Sequence, residues 1–258
     1  MQPVGSHRFP IIIVAVICIA PLAQLGATSA IALRSRHRIV LAADSRAVYR
    51  VNGSATECKL FEFDDVYATV SGLARYGTSF RATDAVRDGF AGPGSFQSHV
   101  QATAVSLRLR VEHLLMELRA SSPNEYHSIT RPAAGQSDLV QLAVAETVNG
   151  EPMLGIIELQ RGVAGNGITV STSICPGSCR GSTGIFYLGY WERIKPYVDG
   201  SGQPRSVGSA ASLDRLIRLE MRAHPRDVGP PIDILELSRS GARWLQNGGN
   251  CSLPGVSW

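Results

Sequence analysis

The chain has 258 residues, of which 44% are hydrophobic and 18% charged. That balance excludes a disordered polypeptide and supplies enough apolar surface for a globular domain. The formal net charge of +4 comes from scattered arginines; no basic block alternates with aromatics, so a nucleic-acid groove is not expected.

In chain order, His7 and Arg8 precede an uncharged run, Pro10 to Leu22 (PIIIVAVICIAPL), too short to span a bilayer comfortably and matching the apolar region of a signal peptide. Residues 1–27 are therefore expected to be removed. Ala27 is a good residue to precede the cut, although Leu25 before it is a poor one and Ala23 competes; an uncleaved anchor is the alternative. Residues 28–258 then form one domain, secreted or periplasmic, with no membrane contact after signal removal. Cys18 would leave with the signal. Cys58, Cys175, Cys179 and Cys251 remain, an even number suited to disulfides in an oxidising compartment, with three pairings open. The CPGSC turn could join Cys175 to Cys179, and no second close cysteine pair or histidine nearby supports zinc there.

Two apolar runs, Ala30 to Leu33 and Ile39 to Ala43, flank a basic turn and predict a β-hairpin ending at Asp44. A second extended region, Cys58 to Val70, turns at Asp64-Asp65. Helical periodicity is read from Ala74 to Phe90, and Ser95 caps a long helix through Leu118. On that helix Val105, Leu107, Leu109, Val111, Leu114 and Leu115 are assigned to the apolar side, and Ser121 to Gln136 to a loop. Strands follow at Leu139 to Val144, Met153 to Leu159 and Ile168 to Ser173, with a turn at Asn149-Gly150. Helices near Tyr190 to Val198 and Ser212 to Ala223 precede strands at Ile232 to Leu237 and Arg243 to Leu245. This order predicts an α+β fold, an αββα four-layer sandwich with helices on both faces of stacked sheets.

The sequence contains no nucleophile-elbow, phosphate-loop or zinc-protease motif, and its histidines are scattered. A histidine-free mechanism remains: the first residue of a processed chain supplies a hydroxyl nucleophile and, in its own α-amino group, the base. That amine has an ordinary pKa near 8 and accepts a proton near neutrality; a nearby ammonium lowers it further, and a carboxylate holds the ammonium in place. Thr28, Lys59 and Asp44 offer this set. Ser45 and Arg46 read as structural supports. Cys58, next to Lys59, should face the opposite way and suits a disulfide or the core.

The run from Thr28 through Gly72 resembles the start of a proteasome β-type subunit, an N-terminal-nucleophile hydrolase. The elements carrying the resemblance are Thr28, Asp44-Ser45-Arg46-Ala47, Lys59 and Ser71-Gly72. The Thr-to-Asp spacing matches that family, and the Asp-to-Lys spacing is one residue short. The resemblance implies Thr28 as nucleophile, Lys59 as the charge that tunes its amine, Asp44 as orienter and the Gly72 N–H as oxyanion donor. It continues more weakly into HPRDVGPPIDILEL, where Asp227 matches a supporting Asp. A family Ser is replaced there by Pro230, and the family's Gly-Ser element by Gly189-Tyr190. The expected function is hydrolysis of a peptide, an unfolded protein or a small amide, without a cofactor or metal. Homo-oligomeric rings are the family's assembly. The alternative implied by Tyr190 and Pro230 is an inactive scaffold or binding subunit.

Overall fold

The computed structural model describes residues 23–26, 28–49, 53–130, 138–161, 167–175, 184–200, 208–248 and 251; the apolar run ahead of Ala23, the cut-site residue Ala27, and Cys179 lie outside them. Strand β1 (Ala23–Gly26) is followed by the expected hairpin, β2 (Ser29–Arg34) and β3 (Arg38–Asp44), antiparallel with Ala30 opposite Ala43. A second hairpin, β4 (Arg46–Tyr49) with β5 (Gly53–Thr56), was not predicted; its short, polar strands carry no clear alternation. Then come β6 (Leu60–Phe63) and β7 (Val66–Tyr76), joined at Asp64-Asp65, where both residues take positive φ.

The helix read from Ala74 is corrected here. The chain stays extended to Tyr76, turns, and pairs Phe80–Arg81 (β8) back onto β7 before helix α1 (Ala82–Phe90) begins. Helix α2 (Phe96–Ser121) starts at Ser95 with reciprocal Ser95–Ser98 capping bonds. Its buried stripe is Val100, Ala104, Leu107, Val111, Leu114 and Leu118, alternating steps of four and three as one face of a helix requires. Val105 and Leu109 fall off that stripe and are 60% and 56% exposed, against the sequence expectation. Part of the expected loop after α2 is helical, α3 (Pro123–Thr130).

Strands β9 (Asp138–Val148), β10 (Glu151–Arg161) and β11 (Ile168–Cys175) form a meander, with Asn149 and Gly150 at positive φ in the first turn. Strand β12 (Ile185–Gly189) was missed in sequence. It is followed by α4 (Ile194–Gly200), α5 (Ala210–Ala223), β13 (Ile232–Ser238) and β14 (Gly241–Gln246).

Among the described residues these strands make two antiparallel sheets. In one, β11-β10-β9-β7-β1-β4-β5 run in that order, with β6 and β8 also on β7; the other runs β12-β2-β3-β13-β14. Period-two alternation sends Ala30, Ala32, Ile39 and Leu41 to a cluster shared with Tyr67, Ala143, Leu154 and Ile156 of the larger sheet. The intervening Ile31, Leu33, Val40 and Ala42 pack with Leu213, Leu216 and Ile217 of α5. Burial on both faces explains why β2 and β3 read as continuous apolar runs. A third cluster joins α1 and α2 to Val70, Leu142, Val144 and Ile157. The protein is thus mixed α and β with antiparallel sheets. Cys58 is bonded to Cys251 across 193 residues of sequence, and Cys175 is disulfide-bonded as well.

Candidate active site around Thr28

The two sheets meet at Asp44. Asp44 ends β3 of the smaller sheet, and Lys59 immediately precedes β6 of the larger one. The two side chains meet across the gap between sheets, Lys59 Nζ donating to Asp44 Oδ1 at 3.0 Å. Both are buried, with 7% of the lysine side chain and none of the aspartate exposed. Three further donors fix the carboxylate: the Ser29 N–H on Oδ1 at 2.9 Å, and the Arg46 and Gly229 N–H groups on Oδ2 at 3.1 and 3.0 Å. Asp44 therefore ties Lys59 to the residue that follows Thr28. Burial pulls the Lys59 ammonium below the ordinary lysine range, and the Asp44 charge pulls it part of the way back.

Thr28 is 1% exposed. It lines, with Lys59, a cavity of about 350 Å³ whose other walls include Phe61, Phe63, Val70 and Ala74, and three arginines, Arg75, Arg81 and Arg87. The Thr28 carbonyl accepts from the Tyr190 N–H at 2.9 Å, and the Ser29 hydroxyl donates to the Tyr190 carbonyl at 3.0 Å. Gly189, at φ +76°, lies so close that a Cβ would collide with the Thr28 carbonyl oxygen and the Ser71 hydroxyl. Its N–H donates to Gln141 Oε1 at 2.7 Å. The Ser71 hydroxyl is buried without a hydrogen-bond partner.

Gly72, at φ +83°, has no room for a Cβ against the Leu139 carbonyl. It sits opposite Gly26 in the pairing of β7 with β1. The segment just upstream of Thr28 thus lies as a strand between β4 and β7, with Gln24 opposite Tyr49 on one side and Arg75 on the other.

Of the five residues picked from sequence, Thr28 and Lys59 line one cavity, Asp44 holds Lys59 from beneath, and Gly72 pairs with Gly26, two residues upstream of Thr28. Asp227 reaches Tyr190 instead: its Oδ2 accepts from the Tyr190 hydroxyl at 3.3 Å. Burial, then the Asp227 charge, pushes the Tyr190 phenol up to about 12, so the phenol keeps its proton and remains the donor. Sequence reasoning missed Gly229, whose N–H completes the Asp44 cage, and Asp233, 1% exposed, which accepts the Ser45 hydroxyl at 2.5 Å and the Gly248 N–H at 2.7 Å. A backbone donor leaves no mark in a sequence, whereas Asp233, set between Ile232 and Ile234, was a usable signal.

No protein-family model and no curated protein matches the chain. Solved structures do. An Anbu mutant from Hyphomicrobium sp. strain MC1 aligns over 85% of each chain at 19% identity and a TM-score of 0.51. Anbu (ancestral beta-subunit) from Yersinia bercovieri aligns over 84% of this chain and 86% of its own at 13% identity and 0.51. The helical assembly of the Anbu complex from Pseudomonas aeruginosa aligns over 81% of each at 18% and 0.50. The fold is Anbu-like. At these identities the likeness is one of fold alone. This corrects the assignment to the N-terminal-nucleophile hydrolases made from the Thr28 to Gly72 motifs: no family model supports it, and the structural neighbours are Anbu proteins. Short motifs in a matching order are less than a family.

Proposed function

We propose that this protein hydrolyses a peptide or amide bond with Thr28 as nucleophile, after the chain upstream of it has been cut away. The observation carrying the proposal is that Thr28 and Lys59 line one cavity while Asp44 holds both Lys59 Nζ and the Ser29 N–H. The freed α-amino group takes the Thr28 hydroxyl proton as the oxygen attacks the substrate carbonyl. The Lys59 ammonium, paired with Asp44, stabilises the alkoxide, and the Gly72 N–H receives the developing oxyanion. The proton passes to the leaving amine; water, activated by the same amine, then hydrolyses the Thr28 ester.

The place of β1, paired between β4 and β7, supports an extended peptide as substrate, lying in the slot that removal of β1 would leave. Apolar walls beside three arginines suit a side chain with an acidic end better than a basic one. Export with signal removal after Ala27 fits the disulfides; among the described residues no helix is long and apolar enough to cross a membrane. The three apolar clusters support an αββα four-layer arrangement. Self-assembly is proposed through α2, since the similar Anbu fold from Pseudomonas aeruginosa forms a helical assembly and α2 exposes Val105, Leu109 and Met116.

The test is the first residue and intact mass of the exported chain, together with labelling by an epoxyketone-type probe, which needs the hydroxyl and amine of one residue. Processed wild type should start at Thr28 and be labelled, and Thr28→Ala should not. A different first residue, or equal labelling of the variant, overturns the reading. Correctly processed wild type that takes no label supports the second reading, a non-catalytic scaffold, which Tyr190 and Pro230 favour because they stand where the motif resemblance has hydroxyls.

A further inference from the structure

Behind Tyr190, and outside the catalytic reading, three side chains converge from two elements. Glu220 and His224 lie one helical turn apart at the end of α5, and Glu192 lies in the loop between β12 and α4. Their ligand atoms lie within 4.8 Å of one another. His224 Nε2 stands 3.6 Å from Glu220 Oε2 and 3.8 Å from Glu192 Oε2. Both gaps are too long for hydrogen bonds. They are close to the ligand-to-ligand separation, about 3.4 Å, that a tetrahedral ion with bonds of roughly 2.1 Å imposes.

Glu220 supplies an independent observation. Its side chain has no exposed surface. Oε1 accepts the Arg193 and Ile194 N–H groups at 2.6 and 2.9 Å, capping α4, but Oε2 is buried and has no hydrogen-bond partner among the described residues. Leaving a carboxylate oxygen buried and unmet is costly, and this one is turned toward the other two ligands. The imidazole is already oriented, stacked on the Tyr190 ring at 4.1 Å between centroids and 24° between planes. The Trp191 N–H steadies Glu192 Oε2 at 3.1 Å. Glu192 and His224 side chains are 32% and 28% exposed, which leaves an entry path and room for a water as fourth ligand.

We infer that Glu192, Glu220 and His224 form a binding site for a divalent transition-metal ion, zinc foremost. Two carboxylates and a neutral imidazole balance the charge of such an ion, and an imidazole ligand selects zinc over magnesium or calcium. The role is structural. The ion clips the end of α5 to the loop carrying Tyr190, whose main chain holds Thr28 and Ser29. No metal was expected from sequence; the Glu-x-x-x-His spacing at 220 and 224 was its one visible sign.

The experiment is titration of the chelator-stripped full chain with zinc ions alone, read by competition with a chromophoric zinc chelator and by Tm. Wild type should take up one ion per chain and melt higher with it. Glu192→Gln, a near-isosteric change at a side chain 32% exposed, and His224→Asn should each weaken zinc binding at least about tenfold. His113→Ala, which breaks an exposed His–Glu pair on α2, should leave it unchanged. No uptake by wild type, uptake that survives both substitutions, or equal binding of magnesium overturns the inference. Neither readout depends on hydrolysis, so this result and the fate of Thr28 are separable.

Discussion

Asp44 sits in a cage of four donors, one of them a buried ammonium. Removing the carboxylate's charge strands Lys59 in the interior, and breaking one side of a buried pair costs about 3–5 kcal/mol. Asp44→Asn should therefore lose stability of that order at neutral pH, measured by chemical denaturation. The sign of its pH dependence follows from Lys59, whose folded value burial already lowers and which loses its main raising partner in the variant. Between that lowered value and the ordinary lysine range, the unfolded chain binds a proton that the folded one does not, so stability rises with pH. The deficit of Asp44→Asn should shrink as the solution is made alkaline; a deficit that stays constant would assign it to packing rather than charge. Asp44 and Lys59 were legible as residues because a carboxylate closing an apolar strand and a lone lysine opening the next extended run both stand out. Gly229, Gln141 and the unmet hydroxyl of Ser71 were not, since their roles arise from segments far apart in the chain.

Strand β13 is clasped by one side chain. Glu236, 5% exposed, takes Arg38 of β3 at 2.8 Å and Arg243 of β14 at 2.7 Å, with Arg243 directly opposite it in register. Burial pushes the Glu236 carboxyl up, but hydrogen bonds from Arg243 and Arg38 outweigh it and hold it below the ordinary glutamate range. A carboxylate held low in the folded state adds stability that is present above its unfolded value and lost as pH falls through the folded one. Because the arginines are 41% and 69% exposed, solvent weakens the pairs. Glu236→Gln should cost about 1 kcal/mol near pH 7, and the difference from wild type should close in acid, below about pH 4. Unfolding midpoints across that range would show it; a gap unchanged at low pH would rule the ion pairs out. Elements with strong period, such as β2, β3 and α2, were readable from sequence, whereas β4, β5, β8 and β12 are short and take their identity from the strands they pair with.

For the whole molecule, the Cys58–Cys251 bond joins the residue before Lys59 to the far end of the chain, so one side of the candidate site is anchored covalently. On α2, Val105, Leu109 and Met116 are 60%, 56% and 65% exposed and lie on one side of the helix, with Glu112 between Leu109 and Met116. If α2 carries the proposed self-assembly, Leu109→Glu should reduce the particle mass in light scattering while leaving the melting temperature within a few degrees, because an exposed position makes little packing contribution. Unchanged mass would move the interface elsewhere.

The sequence by itself determined the hairpin from Ser29 to Asp44, the capped start of α2, the turns at Asp64-Asp65 and Asn149-Gly150, and the residues from which a threonine site could be made. These follow from local rules: period, capping and turn chemistry act over a few residues. Only the tertiary structure decided that Asp44 and Lys59 come from opposing sheets, that β1 lies between β4 and β7, that Asp227 reaches Tyr190, and that Glu220 meets Glu192 and His224. Such contacts are made by closing long loops and burying two apolar faces together, a cooperative outcome of the whole chain that no short stretch encodes.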